Sequence, residues 1–121
     1  MTRVVRFRAP DPKIREVPEW TDLVIDIAHH FGWMVSHQRP ARTNKGYRTA
    51  ISGNAGFPDI IASHPMWGQV FAELKSHRGK LSPAQEAWRQ SLVAGGARYF
   101  LWKPADFAEV LDVFSGKALC A

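Results

Sequence analysis

The sequence predicts a single α/β domain, a mixed sheet flanked by helices in the order α-β-β-β-α-β-α. Three observations carry that expectation. The chain has 121 residues, 45% of them apolar and 22% charged, which is the size and balance of one folded domain with one core. An amphipathic helical stripe near the N-terminus is followed by several short β-type segments. Those strands cluster ahead of a helix–strand–helix return, the pattern of a sheet with helices against it.

Residues 1–15 mix Arg, Pro and Asp without a sustained period and read as an N-terminal arm. The domain proper is expected over 16–116, with 117–121 as a C-terminal tail. From Pro18, Trp20, Leu23, Val24, Ile27, Ala28 and Phe31 recur at three- and four-residue steps, one apolar helical stripe, and Gly32 ends it. Trp33–His37 has the length and composition of a first strand. Residues 38–55 read as a long polar loop. Its Arg39, Arg42, Lys45 and Arg48, with Tyr47 and several glycines, suit contact with a phosphate backbone and stacking on bases. Phe57–Ser63 and Gln69–Lys75 form two strands around the turn His64-Pro65-Met66-Trp67-Gly68. Ser82 then caps a helix with Pro83 in its first position, Ala84, Ala87, Trp88, Ser91 and Leu92 share one face, and Gly95-Gly96 stop it. Arg98–Trp102 is a further strand. Pro104–Phe114 is the last helix, with Phe107, Val110, Leu111 and Phe114 apolar.

Composition narrows the function classes. No apolar run reaches the length of a membrane span, and the basic N-terminus lacks the apolar block of a secretory signal. Cys120 is the single cysteine, so neither a disulfide framework nor a thiolate zinc site can form. An intracellular protein that does not engage membranes is expected. The net charge of +5 and a pI near 9.8 favour a polyanionic partner. Five acids lie between Asp11 and Asp26 and four from Glu86 onward, whereas the middle carries Arg39, Arg42, Lys45, Arg48, Lys75, Arg78 and Lys80. Such a segment suits a nucleic-acid backbone.

Between Asp26 and Glu86 only Asp59 and Glu73 are acidic. They stand in the frames Gly56-Phe57-Pro58-Asp59-Ile60-Ile61 and Val70-Phe71-Ala72-Glu73-Leu74-Lys75. Side chains alternate across a strand, so Glu73 and Lys75 share a face, and Asp59 on the neighbouring strand can point the same way. Asp59 and Glu73 suit a hard divalent cation, Mg²⁺ or Mn²⁺ in its place, with the Leu74 carbonyl as a further oxygen donor. Lys75 would orient the attacking water and offset negative charge as a phosphodiester is hydrolysed. The five histidines do not form a spaced metal cluster. These residues imply a metal-dependent nuclease.

The Pro58-Asp59 and Glu73-Leu74-Lys75 pair resembles the PD-(D/E)xK nuclease superfamily, whose core is that of restriction endonucleases. With Gly56-Phe57-Pro58-Asp59, Gly79-Lys80-Leu81-Ser82-Pro83-Ala84-Gln85 and Gly95-Gly96-Ala97 added, the chain is similar to the VRR-NUC family over roughly Pro18 to Phe114. That family is similar to Holliday-junction resolvases and often stands alone in viruses. The resemblance implies DNA, branched or otherwise structured, as substrate, and host cytoplasm as location if the chain is virus-encoded. It adds Gln85 to the catalytic set and an acid on the first helix to the metal ligands: Glu19, with Glu16 and Asp22 as rivals. Thr21 stands where family members usually carry Gln. A twofold homodimer is also implied, for which Phe7, Trp67 and Phe114 could supply an apolar contact. Two alternatives share the same residues: a nuclease-like module that binds DNA without cutting, and a nuclease that processes RNA.

Overall fold

The computed structural model describes residues 7–13, 17–38, 41–43, 46–48 and 52–117. Its elements are α1 (Val17–His30), β1 (Met34–His37), β2 (Ala41–Thr43), β3 (Gly46–Arg48), β4 (Ile60–His64), β5 (Gly68–Leu74), α2 (Pro83–Ala94), β6 (Tyr99–Trp102), a 3₁₀ turn (Pro104–Asp106) and α3 (Phe107–Phe114). The mixed α/β core read from the sequence is present, with one addition. The segment taken as a loop contains a small antiparallel hairpin, β2 with β3, at Arg42↔Tyr47. Three-residue strands are too short to show an alternation, so no period could reveal them.

The main sheet runs β1-β4-β5-β6. β4 and β5 are the antiparallel hairpin expected, Ile60 opposite Ala72 and Ala62 opposite Val70. β6 returns parallel to β5, with Glu73 beside Leu101 and Leu74 beside Trp102. A parallel neighbour requires a crossover, and α2 supplies it.

Alternation divides the sheet into two faces. Ile60, Ala62, Val70, Ala72 and Leu74 are buried with Trp20, Val24, Ile27 and Ala28 of α1 and with Val110, Val113 and Phe114 of α3. Two indoles span this core and have their N–H groups satisfied, Trp20 on the Trp102 carbonyl at 3.1 Å and Trp33 on the Phe114 carbonyl at 2.9 Å. A buried indole without a partner would be costly. Helix α1 stops where Gly32 was expected to stop it. Gly32 N–H bonds the His29 carbonyl and Trp33 N–H reaches back to Ala28, a Schellman closure.

The opposite face carries Phe71 and Glu73 and lies under α2. Phe57 bridges the two, 6.2 Å from Phe71 and 5.1 Å from Trp88 between ring centres. Here the expected apolar face of α2 departs from a core. No residue of the helix is fully buried, and Ala84, Ala87 and Ser91 are exposed. The helix bonds the sheet through Gln85, which donates to Glu73, and Trp88 packs edge-on against Phe57 ahead of β4.

The residues expected to form an apolar dimer contact are also placed otherwise. Phe114 is fully buried, and Phe7 and Trp67 pack against the same core. Trp67 stacks on His64 at 4.1 Å, and Gly116 lies so close to its indole that a Cβ there would come within 2.3 Å of the ring. Among the described residues no helix is long and apolar enough to cross a membrane.

Candidate active site

Asp59 sits one residue ahead of β4, not within the strand as expected. Its carbonyl accepts from Gln38 N–H at 2.8 Å, which extends the β1–β4 ladder and fixes the backbone at that point. Asp59 and Glu73 then hold each other. Asp59 N–H donates to Glu73 Oε2 at 3.3 Å, and Leu74 N–H donates to Asp59 Oδ2 at 3.0 Å. Leu74, next to Glu73 in the chain, thus fixes the Asp59 carboxylate.

Lys75 follows β5 and continues its pairing, its N–H donating to the Trp102 carbonyl at 3.1 Å. That carbonyl also takes the Trp20 indole, so one acceptor ties the lysine backbone to α1. Lys75 Nζ lies 3.7 Å from Glu73 Oε1, on the shared face that the one-residue spacing requires.

Gln85 joins the site from α2. Its side-chain oxygen accepts from Ser82 N–H at 2.9 Å while Ser82 Oγ accepts from Gln85 N–H at 3.1 Å, a capping box. That bond settles which way the amide points, because only its oxygen can face an N–H. The amide nitrogen is left to donate to Glu73 Oε1, at 2.9 Å. One glutamine therefore starts the helix and holds the carboxylate.

Glu73 is 1% exposed. Burial first, then the negative charge and side-chain contact of Asp59, push its carboxyl up to about 8, with Lys75 and the Asp59 N–H pulling the other way. A cation seated beside Glu73 and Asp59 would favour the ionised form that burial and the neighbouring charge oppose in Glu73. The oxygen donors of these two residues fit Mg²⁺ or Mn²⁺, which commonly take one or two carboxylates and complete their shell with water and phosphate.

Glu19 does not join them. It lies exposed in the first turn of α1, where Trp20 and Thr21 take the inward positions. Asp22 is exposed as well, and Glu16 lies outside the described residues. Among the described residues no group of three His, Cys, Asp or Glu side chains gathers to hold a metal. Arg78 and Lys80 are exposed on the loop between Lys75 and α2. Arg42 and Arg48 stand on β2 and β3, and Arg39 and Lys45 lie outside the described residues.

Three residues of the site were not singled out from the sequence for what they do there. Tyr99, beside Phe71 in the parallel register, has its phenol pushed up to about 12, by burial first and then by the Glu73 charge. Only the β5–β6 pairing brings it near. Gly79 supports Lys75, since a Cβ there would meet the lysine Cβ at 2.7 Å and its Cδ at 3.2 Å. Gly56 has φ +97°, and a Cβ would strike the Ala84 backbone at 2.5 Å and the Gln85 nitrogen at 2.8 Å. A left-handed glycine pressed against a helix start is a position for no other residue. Both glycines belong to motifs visible in the sequence, which were their only signal.

No family model and no curated protein matches the chain. Among solved structures it is similar to one described as "VRR_NUC domain", at 19% identity and a TM-score of 0.56, over 70% of this chain and 81% of that one. Another, described as "VRR_NUC domain protein", aligns at 17% identity and a TM-score of 0.41, over 81% of this chain and 84% of the other. The first likeness identifies the architecture: the chain has the fold of a VRR_NUC domain.

Proposed function

We propose that this chain, a VRR_NUC fold carrying Asp59, Glu73, Lys75 and Gln85 in one cluster, is a metal-dependent endonuclease acting on branched or otherwise structured DNA. The observation that carries the reading is the reciprocal bonding of Asp59 and Glu73 with a lysine 3.7 Å away and a glutamine amide 2.9 Å away. Asp59 and Glu73 would hold Mg²⁺ or Mn²⁺, with the Leu74 carbonyl beside them. A cation there supplies electrostatic stabilisation to the scissile phosphate and acidifies water. Lys75 orients the attacking water and balances charge developing on phosphate oxygen. Gln85 keeps Glu73 aimed, and Arg78 and Lys80 meet the flanking backbone.

Cleavage assays in Mg²⁺ or Mn²⁺ on linear, flapped and four-way-junction DNA, with RNA counterparts, test the proposal. Faster cutting of branched DNA is expected. Equal cutting of all DNA forms removes the structural selectivity, and preference for RNA moves the substrate class. One observation favours a second reading, a nucleic-acid-binding module that does not cut: among the described residues the site has two carboxylates and no third ligating acid. Binding without cleavage in either metal would establish it.

Each chain has one such site, and a four-way junction needs two symmetric nicks. A twofold pair would supply them, and closed twofold pairs are the commonest homo-oligomers. Light scattering with and without junction DNA checks this, and a monomer in both would leave single-strand or flap cutting.

A further inference from the structure

A cleft of about 420 Å³ lies between Asn54 and Ala55 on one side and Ala84, Ala87, Trp88 and Ser91 of α2 on the other. It is lined by the helix stripe that the core leaves exposed. Both walls are tied to the catalytic pair. Gly56, next to Ala55, rests on the Ala84 and Gln85 backbone, and Gln85 holds Glu73. Asn54 and Ala55 lead through Gly56-Phe57-Pro58 directly into Asp59.

Trp88 makes the aromatic part of the cleft and is held in place. Its indole N–H donates to the Asn54 carbonyl at 3.2 Å, and its ring stands edge-on to Phe57 at 86°. The small side chains Ala84, Ala87 and Ser91 leave room beside it for a flat group. The volume falls in the range of small-ligand clefts, about 300–1,000 Å³. Asn54 and Ser91 offer polar atoms at its edge, and exposed Arg78 and Lys80 lie on the loop that leads into α2. A flat apolar ring delivered on a polyanionic strand matches this combination.

We propose that the cleft seats one unpaired nucleobase of the strand being cut, beside the scissile phosphate. The proposal rests on the nuclease reading of the Asp59–Glu73 site and gives it a source of selectivity. A fully paired duplex keeps its bases stacked, whereas a flap, branch or single strand has one to insert.

The test is binding, measured by fluorescence anisotropy with Ca²⁺ in place of Mg²⁺. The probe is duplex DNA with a single-stranded arm in which abasic sites are placed one position at a time. At one position, loss of the base should weaken binding about 5- to 150-fold, the range set by stacking one base on an aromatic side chain. Ala87→Leu and Ser91→Leu, at exposed helix positions, fill the cleft and should erase that position's penalty. No penalty at any position in the wild type overturns the proposal, as does an undiminished penalty in both filled variants. The outcome is separable from the nuclease reading. If Mg²⁺ and Mn²⁺ support no cutting while the penalty appears and vanishes on filling, the enzyme assignment fails and the cleft stands. Cutting with no penalty gives the reverse.

Discussion

The β4–β5 hairpin and helix α2 build the same site from opposite physical conditions. Around the hairpin, Ile60, Ala62, Val70, Ala72, Glu73 and Leu74 are buried, and Asp59, Glu73 and Leu74 are crosslinked through backbone N–H groups. Helix α2 has no buried residue and reaches the site through one side chain, Gln85. The hairpin therefore keeps one carboxyl, Glu73, away from water, which raises the cost of ionising it. The helix presents Ala84, Ala87 and Ser91 to solvent, so substitutions at these positions should disturb the fold least. Chemistry should follow the hairpin, and substrate selection the helix side.

The strongest challenge to that division is removal of the chemical groups. Lys75→Ala should lower cleavage about 10²- to 10⁴-fold while DNA binding stays near wild type, because it removes one of 16 Lys and Arg residues. Asp59→Asn and Glu73→Gln should lose metal-supported cutting as well. Single-turnover cleavage with parallel binding curves measures both effects, and three variants cutting at the wild-type rate would refute the site.

On the helix side, Gln85→Ala should reduce cleavage about 10- to 100-fold, the usual penalty for losing a partner that orients a metal ligand. It also removes a capping box, so stability should fall by about 1 kcal/mol in urea denaturation. A larger loss of activity than in Lys75→Ala would reverse the ranking of the two regions.

The buried carboxyl sharpens the comparison without any activity measurement. Glu73 ionises near 8 in the folded chain against about 4.5 when unfolded, raised mainly by burial. Between those values the folded state holds a proton that the unfolded state has released. Metal-free stability should therefore fall as pH rises from about 4.5 to about 8 and level off outside that window. Glu73→Gln should flatten this dependence. Mg²⁺ favours the ionised form and should stabilise the wild type increasingly toward pH 8. Thermal melts in EDTA and in Mg²⁺ across pH 4–9 decide it, and an unchanged slope in Glu73→Gln would place the titration elsewhere.

The smallest effect on the chemical step is expected from Arg39, Arg42, Lys45 and Arg48 replaced together by Ala. At saturating DNA the cutting rate should stay close to wild type, while the slope of log affinity against log salt drops by about 3 as fewer counterions are released. An unchanged slope would remove these four residues from the nucleic-acid contact.

Much of this was legible before any coordinates. The α1 stripe, its stop at Gly32, the β4–β5 hairpin, the Ser82-Pro83 helix start and the Glu73–Lys75 face are consequences of neighbours a few residues apart. Period, capping and alternation act over such distances, so the sequence states them directly. The same holds for a basic chain with two isolated acids at its centre. What lay beyond it were partnerships set by packing. Glu19 faces outward because Trp20 and Thr21 turn inward. The α2 stripe stays exposed at Ala84, Ala87 and Ser91, and Phe114 is buried in the core rather than free for an interface. Gln85 meets Glu73 only because Gly56 lets two backbones touch, and Tyr99 arrives through a parallel register. A residue's period identifies its face but not what lies over it. That depends on contacts between segments far apart in the chain, where burial, shape and backbone conformation are satisfied together.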